Sequence, residues 1–322
     1  MKTWIDFDAA PVFAVPVTGL TGRPVCEGML IEGPQGWGEF SPPRDCTDEH
    51  AARWLTAAIE VGTVGWPDPV RGRVPVAVTV DAVDPATAGA RVAESGCGTA
   101  VVHVGAGPLS DDLARVEAVR EALGPAGRIR IDVDGRWDPD TAAAAVPVLR
   151  RAAGELEFVE QPCRTLDEIA AVRRVLDIPV AVDQSLRDAG DPAAVHVAGV
   201  ADIAVLTVGP LGGVRRALRV AESCGLPCVV SGSVETSIGT AGGLALAGVL
   251  PDVGYAHELA IAPLLDGDVV SAARSLIPVD GWLPVAPMPP APNPERLQRF
   301  RLADEQAERW WRDRLTAVQR HI

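Results

Sequence analysis

The chain has 322 residues with 48% hydrophobic content and a formal net charge of −14. That length gives a large core and about one to two domains, and the acidic balance argues against a nucleic-acid surface, which needs clustered Lys and Arg. No apolar run approaches the ~20 residues of a membrane span, and no basic start followed by an apolar stretch marks a signal peptide, so a cytoplasmic protein is expected. Lys2 is the only lysine; every other basic residue is arginine, a composition bias that replaces surface lysines readily. The six cysteines (Cys26, Cys46, Cys97, Cys163, Cys224, Cys228) are scattered, without redox-pair or zinc spacing, and are expected as buried thiols.

Residues 1–73 predict a small α+β unit. Pro11–Val17 and Gly28–Phe40 read as strands of an antiparallel sheet. Thr47 then opens a helix as N-cap, with Asp48 and Glu49 in its first turn and Ala51, Trp54, Leu55 and Ile59 on one face. From Arg73 the pattern becomes strand–helix alternation. Apolar runs occur at Val74–Val80, Thr99–Val104, Ile129–Val133, Leu156–Glu160, Val180–Asp183, Ile203–Val208 and Cys228–Ser231, with Tyr255-Ala256 a weaker eighth. Helical segments such as Ser110–Leu123 and Asp140–Ala153 fill the gaps. Eight such units over residues 74–274 predict a closed (β/α) barrel. An open doubly wound sheet is the alternative, but no G-x-G-x-x-G follows the first strand. The tail, residues 275–322, is Pro-rich and then helical over roughly Glu295–Arg320. It is expected to pack back on the N-terminal unit.

Three acids stand at the C-terminal ends of apolar runs: Asp132 in IDVDG, Glu160 in FVEQP and Asp183 in VAVDQS. Glu160 follows Asp132 by 28 residues and Asp183 follows Glu160 by 23, the length of one strand plus one helix. Successive barrel strand ends meet at one mouth. Carboxylates gathered there repel one another unless a hard cation holds them, and Mg²⁺ suits an all-oxygen site. Each acid alone could instead cap the next helix or face solvent. Asp134 points to the same side as Asp132 if the strand continues.

The segments GWGEFSP (36–42), IDVDGRW (131–137), FVEQPC (158–163), AVDQS (181–185), VLTVGPLGGV (205–214) and VETSIGTAGGLALA (234–247) together resemble the enolase superfamily, most of all its o-succinylbenzoate synthase branch of menaquinone biosynthesis. The resemblance covers nearly the whole chain. It implies an α+β capping domain on a (β/α)7β barrel, and Asp132, Glu160 and Asp183 as ligands of Mg²⁺, with Mn²⁺ an alternative. It also implies proton abstraction α to a carboxylate, an enediolate stabilised by the metal, and a syn loss of hydroxide.

The chain departs from the family at its bases. Where the family carries K-x-K, this chain has Val101-Val102-His103; where a lysine ends the sixth strand, it has Thr207; and the family D-E-S is Asp183-Gln184-Ser185. His103 is the candidate base, since a neutral imidazole is competent near pH 7. Thr207 cannot act as base or cation, which disfavours a two-base racemase. At the eighth strand end, Tyr255-Ala256-His257-Glu258 replaces a small uncharged pair. Ser231-Gly232-Ser233 matches a family segment that touches substrate. Thr207, Gln184, Ser231, Gly232, Ser233, His257 and Glu258 are therefore the candidate substrate-binding residues. The 18–26 segment corresponds to the loop that closes over substrate, with Arg23 displaced and Cys26 at a family arginine position. Three functions stay open: a divergent Mg²⁺-dependent lyase or cyclase with His103 as single base, an ordinary but slow synthase, and a non-catalytic metabolite- or partner-binding protein. The expected partner is a small-molecule carboxylate, with no nucleic acid or membrane and the oligomeric state open.

Overall fold

The computed structural model describes residues 5–20, 22, 24–251 and 254–322. Lys2, Thr21 and Arg23 lie outside the described residues, so the expectation for Arg23 does too. The cap begins with an antiparallel sheet of β1 (Val12–Pro16), β2 (Val25–Gly33) and β3 (Gly36–Phe40), with Val12 opposite Met29 and Met29 opposite Phe40. Helix α1 (Asp48–Thr63) starts at Thr47, whose hydroxyl accepts from the His50 amide at 3.2 Å. Its buried face, including Ala51, Leu55 and Ala58, lies on the sheet with Met29, Ile31 and Phe40. Glycine makes that approach possible: a Cβ on Gly38 would stand 2.2 Å from the Ala58 carbonyl oxygen.

The apolar run at 74–80 divides into two strands. β4 (Arg73–Pro75) pairs antiparallel with β12 (Trp282–Pro284) from the tail, and β5 (Val78–Val80) opens the barrel. Six parallel strands follow: β6 (Thr99–His103), β7 (Arg128–Asp132), β8 (Val159–Glu160), β9 (Val180–Val182), β10 (Ile203–Thr207) and β11 (Cys228–Ser231). Between and after them run α2 (Pro85–Ser95), α3 (Leu109–Leu123), α4 (Pro139–Ala153), α5 (Leu166–Val175), α6 (Gln184–Arg187), α7 (Val208–Leu211), α8 (Val214–Cys224) and α9 (Ser237–Val249). Good caps set their starts, such as the reciprocal Thr165–Glu168 box of α5.

The eighth position is not Tyr255-Ala256 but the residues after it. His257 bridges Val76 and Glu258 bridges Ser231, both parallel. The His257 amide donates to Pro75 O at 2.8 Å and the Glu258 amide to Val230 O at 2.8 Å, so a two-residue segment joins the sheet edges and closes the barrel. Strand alternation then sorts the side chains. Phe158, Ala181, Ile203, Val205 and Val229 form one inner cluster, and Ala77, Val101 and Ala256 another. Residues of opposite parity, such as Val102, Ile129, Ile131 and Val180, pack outward with the helices.

The tail forms two helices rather than one, α10 (Pro294–Arg299) and α11 (Glu305–Val318). The break lets residues 300–302 run along β1: the Ala14 amide donates to Phe300 O at 2.8 Å and the Leu302 amide to Val12 O at 3.1 Å. Trp311, Leu315 and Val318 of α11 are buried in the cap core, with Trp311 edge-on to Phe40 at 6.0 Å. None of the six cysteines forms a disulfide, and Cys46 is half-buried rather than buried. Among the described residues no helix is long and apolar enough to cross a membrane.

Candidate active site

Strand register brings three of the singled-out residues level with one another. His103 is opposite Asp132 and Asp132 opposite Glu160 at the C-terminal ends of β6, β7 and β8. Asp183 follows β9 at the same end. These four side chains line one cavity of about 170 Å³ with Asp134, Gln184, Ser231, Gly232, Ser233 and Glu258. Leu20 of the cap loop also lines it, and that loop is held because the Thr18 and Gly19 amides donate to Leu264 O at 2.9 and 3.1 Å. A second cavity of about 430 Å³ lies between cap and barrel, sharing Arg187, Gly232, Ser233 and Val234 with the first.

One candidate, His257, is not at the mouth. His257 follows strand parity outward: its Nδ1 accepts from the Val230 amide at 3.0 Å, and the residue borders a different cavity beside Arg73 and Trp282. Thr207 ends β10 with the inward parity of Ile203 and Val205 and is opposite Ser231 in register; it is buried and its hydroxyl has no partner.

The acids at the mouth are strained by burial. Glu160 is 2% exposed and Asp183 4%. Burial lifts the Glu160 carboxyl well above its usual range, and the negative charges of Glu258, Asp132 and Asp183 lift it further. Burial also raises Asp183, to about 7, against the pull of the Arg187 guanidinium. Glu258 is raised by burial, with Arg130 opposing. His103 Nε2 stands 3.8 Å from Asp132 Oδ2 with the imidazole partly open to solvent.

Several residues that the sequence reading passed over organise this site. Arg130 is fully buried inside the barrel, two residues before Asp132 and therefore on the same inward face. Its Nε donates to Glu157 at 2.7 Å, its Nη1 to Glu258 at 3.3 Å, and its guanidinium lies 4.6 Å over the Phe158 ring. Arg187, one turn after Asp183, has Nη1 3.2 Å from Asp183 Oδ2. Gln161 accepts from the Asp183 amide at 3.0 Å and donates to Ser185 Oγ at 2.7 Å, fixing the loop after β9. Period-two alternation would have found Arg130, and i,i+4 spacing would have found Arg187.

The donor set suits a divalent cation. Glu160 Oε2 and Asp183 Oδ1 are buried with no hydrogen-bond partner, and a hard cation is the group that carboxylate oxygens so placed can ligate. The geometry is not closed on a point, however: among the described residues no three His, Cys, Asp or Glu side chains converge closely enough to share an ion.

Residues 85–289 match the enolase C-terminal domain-like family and residues 12–62 the enolase N-terminal domain-like family. The chain belongs to the enolase superfamily. Its curated relatives in that superfamily include o-succinylbenzoate synthase of Thermobifida fusca, 51% identical over 92% of this chain and 97% of the relative. The o-succinylbenzoate synthase of Mycobacterium ulcerans is 43% identical over 96% of this chain and 93% of its own. On these relatives the chain is an enzyme of the superfamily. Among solved enolase-superfamily folds, the L-Ala-D/L-Glu epimerase of Bacillus subtilis superposes with TM-score 0.75 at 22% identity, covering 91% of this chain and 98% of that one. Muconate lactonizing enzyme of Pseudomonas fluorescens does so with TM-score 0.75 at 22% identity over 93% and 98%. At that identity these two speak to the fold.

Proposed function

We propose that the chain is a divalent-metal-dependent lyase of the o-succinylbenzoate synthase kind, acting on a small carboxylate through an enediolate with His103 as its single base. The observation that carries this is the level row of His103, Asp132 and Glu160 at the barrel mouth, beside the unpartnered oxygens of Glu160 and Asp183. Asp132, Glu160 and Asp183 would hold Mg²⁺ or Mn²⁺, and the bound ion would supply positive charge that stabilises the enediolate. Neutral His103 Nε2 takes the proton α to the substrate carboxylate. The resulting imidazolium, next to Asp132, then returns that proton to the departing hydroxide on the same face, so one base serves both steps. Gly232 and its serine neighbours leave room for the substrate, and Leu20 excludes water on the cap side. Gln184 holds Asp134. Glu258, anchored by Arg130, faces the substrate as an acceptor. Thr207 offers no opposing base, which argues against a two-base epimerisation. Neither a membrane nor a nucleic acid figures in this reading.

The test is formation of o-succinylbenzoate by the purified protein with Mg²⁺ or Mn²⁺, compared with His103→Ala. Turnover abolished by the substitution supports the whole reading. Metal binding without o-succinylbenzoate formation would refute the synthase reaction and direct the search to another carboxylate. Full turnover in the variant would remove His103 as base.

A further inference from the structure

We propose that Arg91 is a positioning residue for the reaction: from helix α2 it locks Gly19 of the cap onto the barrel and so sets Leu20 over the mouth. This rests on the reading of the mouth as the reacting site. Gly19 is buried, and both of its backbone polar groups are held by the barrel. Its amide donates to Leu264 O at 3.1 Å, and Arg91 Nη1 donates to its carbonyl at 2.6 Å. On the amide side the cap chain forms a short ladder with the segment that follows the eighth strand. Val17 bridges Leu265 antiparallel, the Asp266 amide donates to Pro16 O at 2.8 Å, and the Thr18 amide donates to Leu264 O at 2.9 Å. That ladder ends at Gly19, where a Cβ would stand 2.9 Å from Leu264 Cα, so glycine is what allows the approach. Leu20, the next residue, lines the mouth with Ile261 and Leu264. Beyond the last ladder bond, the direction of the chain is set at the Gly19 carbonyl, where Arg91 holds it.

The chemistry of the contact fits this duty. A guanidinium donor makes a charge-assisted hydrogen bond, stronger than one between neutral groups. Arg91 is half-buried, and burial pulls its pKa below the ordinary value against the charge of Asp81. Withdrawing that charge from water costs stability, and the hydrogen bond gained reaches a carbonyl 72 residues away, outside its own helix. Arg91 acts through Gly19 and not on substrate; it lines a separate cavity of about 410 Å³ with Thr87, Glu94, Pro263 and Leu264. Without the guanidinium, the cap chain is fixed on the amide side alone, and Leu20 loses its set position over the mouth. Substrate then loses one wall of its site, which weakens binding more than it slows proton transfer at His103.

The experiment compares wild type, Arg91→Ala, Arg91→Lys and Glu94→Ala in two ways: steady-state formation of o-succinylbenzoate with Mg²⁺, and amide hydrogen exchange followed by mass spectrometry. In Arg91→Ala, KM is expected to rise about tenfold with kcat within about threefold, the scale of one lost hydrogen bond to a charged group. Exchange in the peptide that carries residues 18–20 is expected to quicken by about tenfold in the same variant, with α2 unchanged. Arg91→Lys keeps the charge and a shorter donor and is expected between alanine and wild type, while Glu94→Ala, a change in the wall of the same cavity, matches wild type. A wild-type KM in Arg91→Ala, or wild-type exchange over residues 18–20, overturns the inference. Faster exchange spread through α2 with a lower Tm and no recovery in Arg91→Lys shows a merely structural arginine and overturns it as well. If the wild type forms no o-succinylbenzoate, the synthase reading fails by itself, and exchange over residues 18–20 still decides whether Arg91 fixes the chain that carries Leu20.

Discussion

Glu39 joins the cap to the barrel, and replacing it tests whether that joint shapes the mouth. Its carboxylate is buried on β3 and reaches the start of α9. It accepts from the Thr236 amide at 3.2 Å, the Thr236 hydroxyl at 2.5 Å, the Gly239 amide at 3.2 Å and Ser41 Oγ at 2.8 Å. Glu39→Ala strips the buried Thr236 amide and the half-buried Gly239 amide of their acceptor, and at about 1–3 kcal/mol for an unsatisfied buried group the loss is at least about 1–3 kcal/mol. Glu39→Gln keeps one acceptor oxygen but turns an NH₂ toward donors, a loss of about 1–3 kcal/mol. The pH dependence has a definite sign. Burial raises the Glu39 carboxyl above its ordinary value of 4.5, outweighing its hydrogen bonds to Thr236 and Ser41. Its favourable contribution is therefore complete below about pH 4.5 and is lost as pH rises through the folded value. Glutamine stays neutral, so its penalty is greatest near pH 4.5 and shrinks toward pH 8. Urea unfolding of wild type, Glu39→Gln and Glu39→Ala across that range measures this. A Gln penalty that grows with pH would refute the burial argument and show that the helix N-terminus holds Glu39 ionised. Because Gly232, Ser233 and Val234 lead directly into Thr236, Glu39→Ala is also expected to raise KM.

Glu160→Gln removes a buried charge that faces Glu258, Asp132 and Asp183. Since the Glu160 pKa is raised, the wild type loses stability as pH rises through the folded value, so the metal-free variant is expected to have the higher Tm at pH 8, with an advantage that shrinks toward pH 5, while Mn²⁺ no longer raises its Tm; a lower metal-free Tm at pH 8 would contradict this. His103→Ala is expected to cut turnover by about 10²–10⁴ and to leave Mn²⁺ affinity within a few-fold, read by steady-state kinetics and calorimetry. Gly38→Ala places a methyl 2.2 Å from the Ala58 carbonyl oxygen, and the forced separation of β3 from α1 is expected to cost about 1–3 kcal/mol; unchanged urea unfolding would show that the sheet and helix can separate freely.

Much of the barrel was legible because parallel strands buried on both faces are plain apolar runs, and acids at their ends stand out against them. The eighth strand was misplaced by two residues for the same reason in reverse. Only His257 and Glu258 make its ladder, too few for an apolar run, and both are polar. Once the register is known, parity separates them: Glu258 turns inward and His257 outward. The 74–80 run looked like one strand, but its first part pairs with Trp282–Pro284, some 200 residues away. The tail helix breaks because residues 300–302 find hydrogen bonds on β1 that no local pattern announces. Alternation places Arg130 on the inward face with Asp132, but a buried arginine is expected there only once its partners are known, and Glu157 and Glu258 lie outside β7.

The replaced lysines acquire a different meaning beside these arginines. The chain has Val101, His103 and Thr207 where the resembled family carries lysine, yet the mouth is not left without positive charge. Arg130 reaches Glu258 from inside the barrel and Arg187 reaches Asp183 from the rim. Both guanidiniums can balance carboxylates, but neither can give up a proton at any physiological pH. In a lysine-bearing site one residue type can serve as counter-charge and as base, because an ammonium is readily tuned toward neutrality. Here the two duties fall on different residues. On the proposed reading the arginines carry the charge, and among the described residues lining the mouth His103 is the nitrogen base left for proton transfer. A single-base elimination is compatible with that division; a reaction that needs a second base on the opposite face is not.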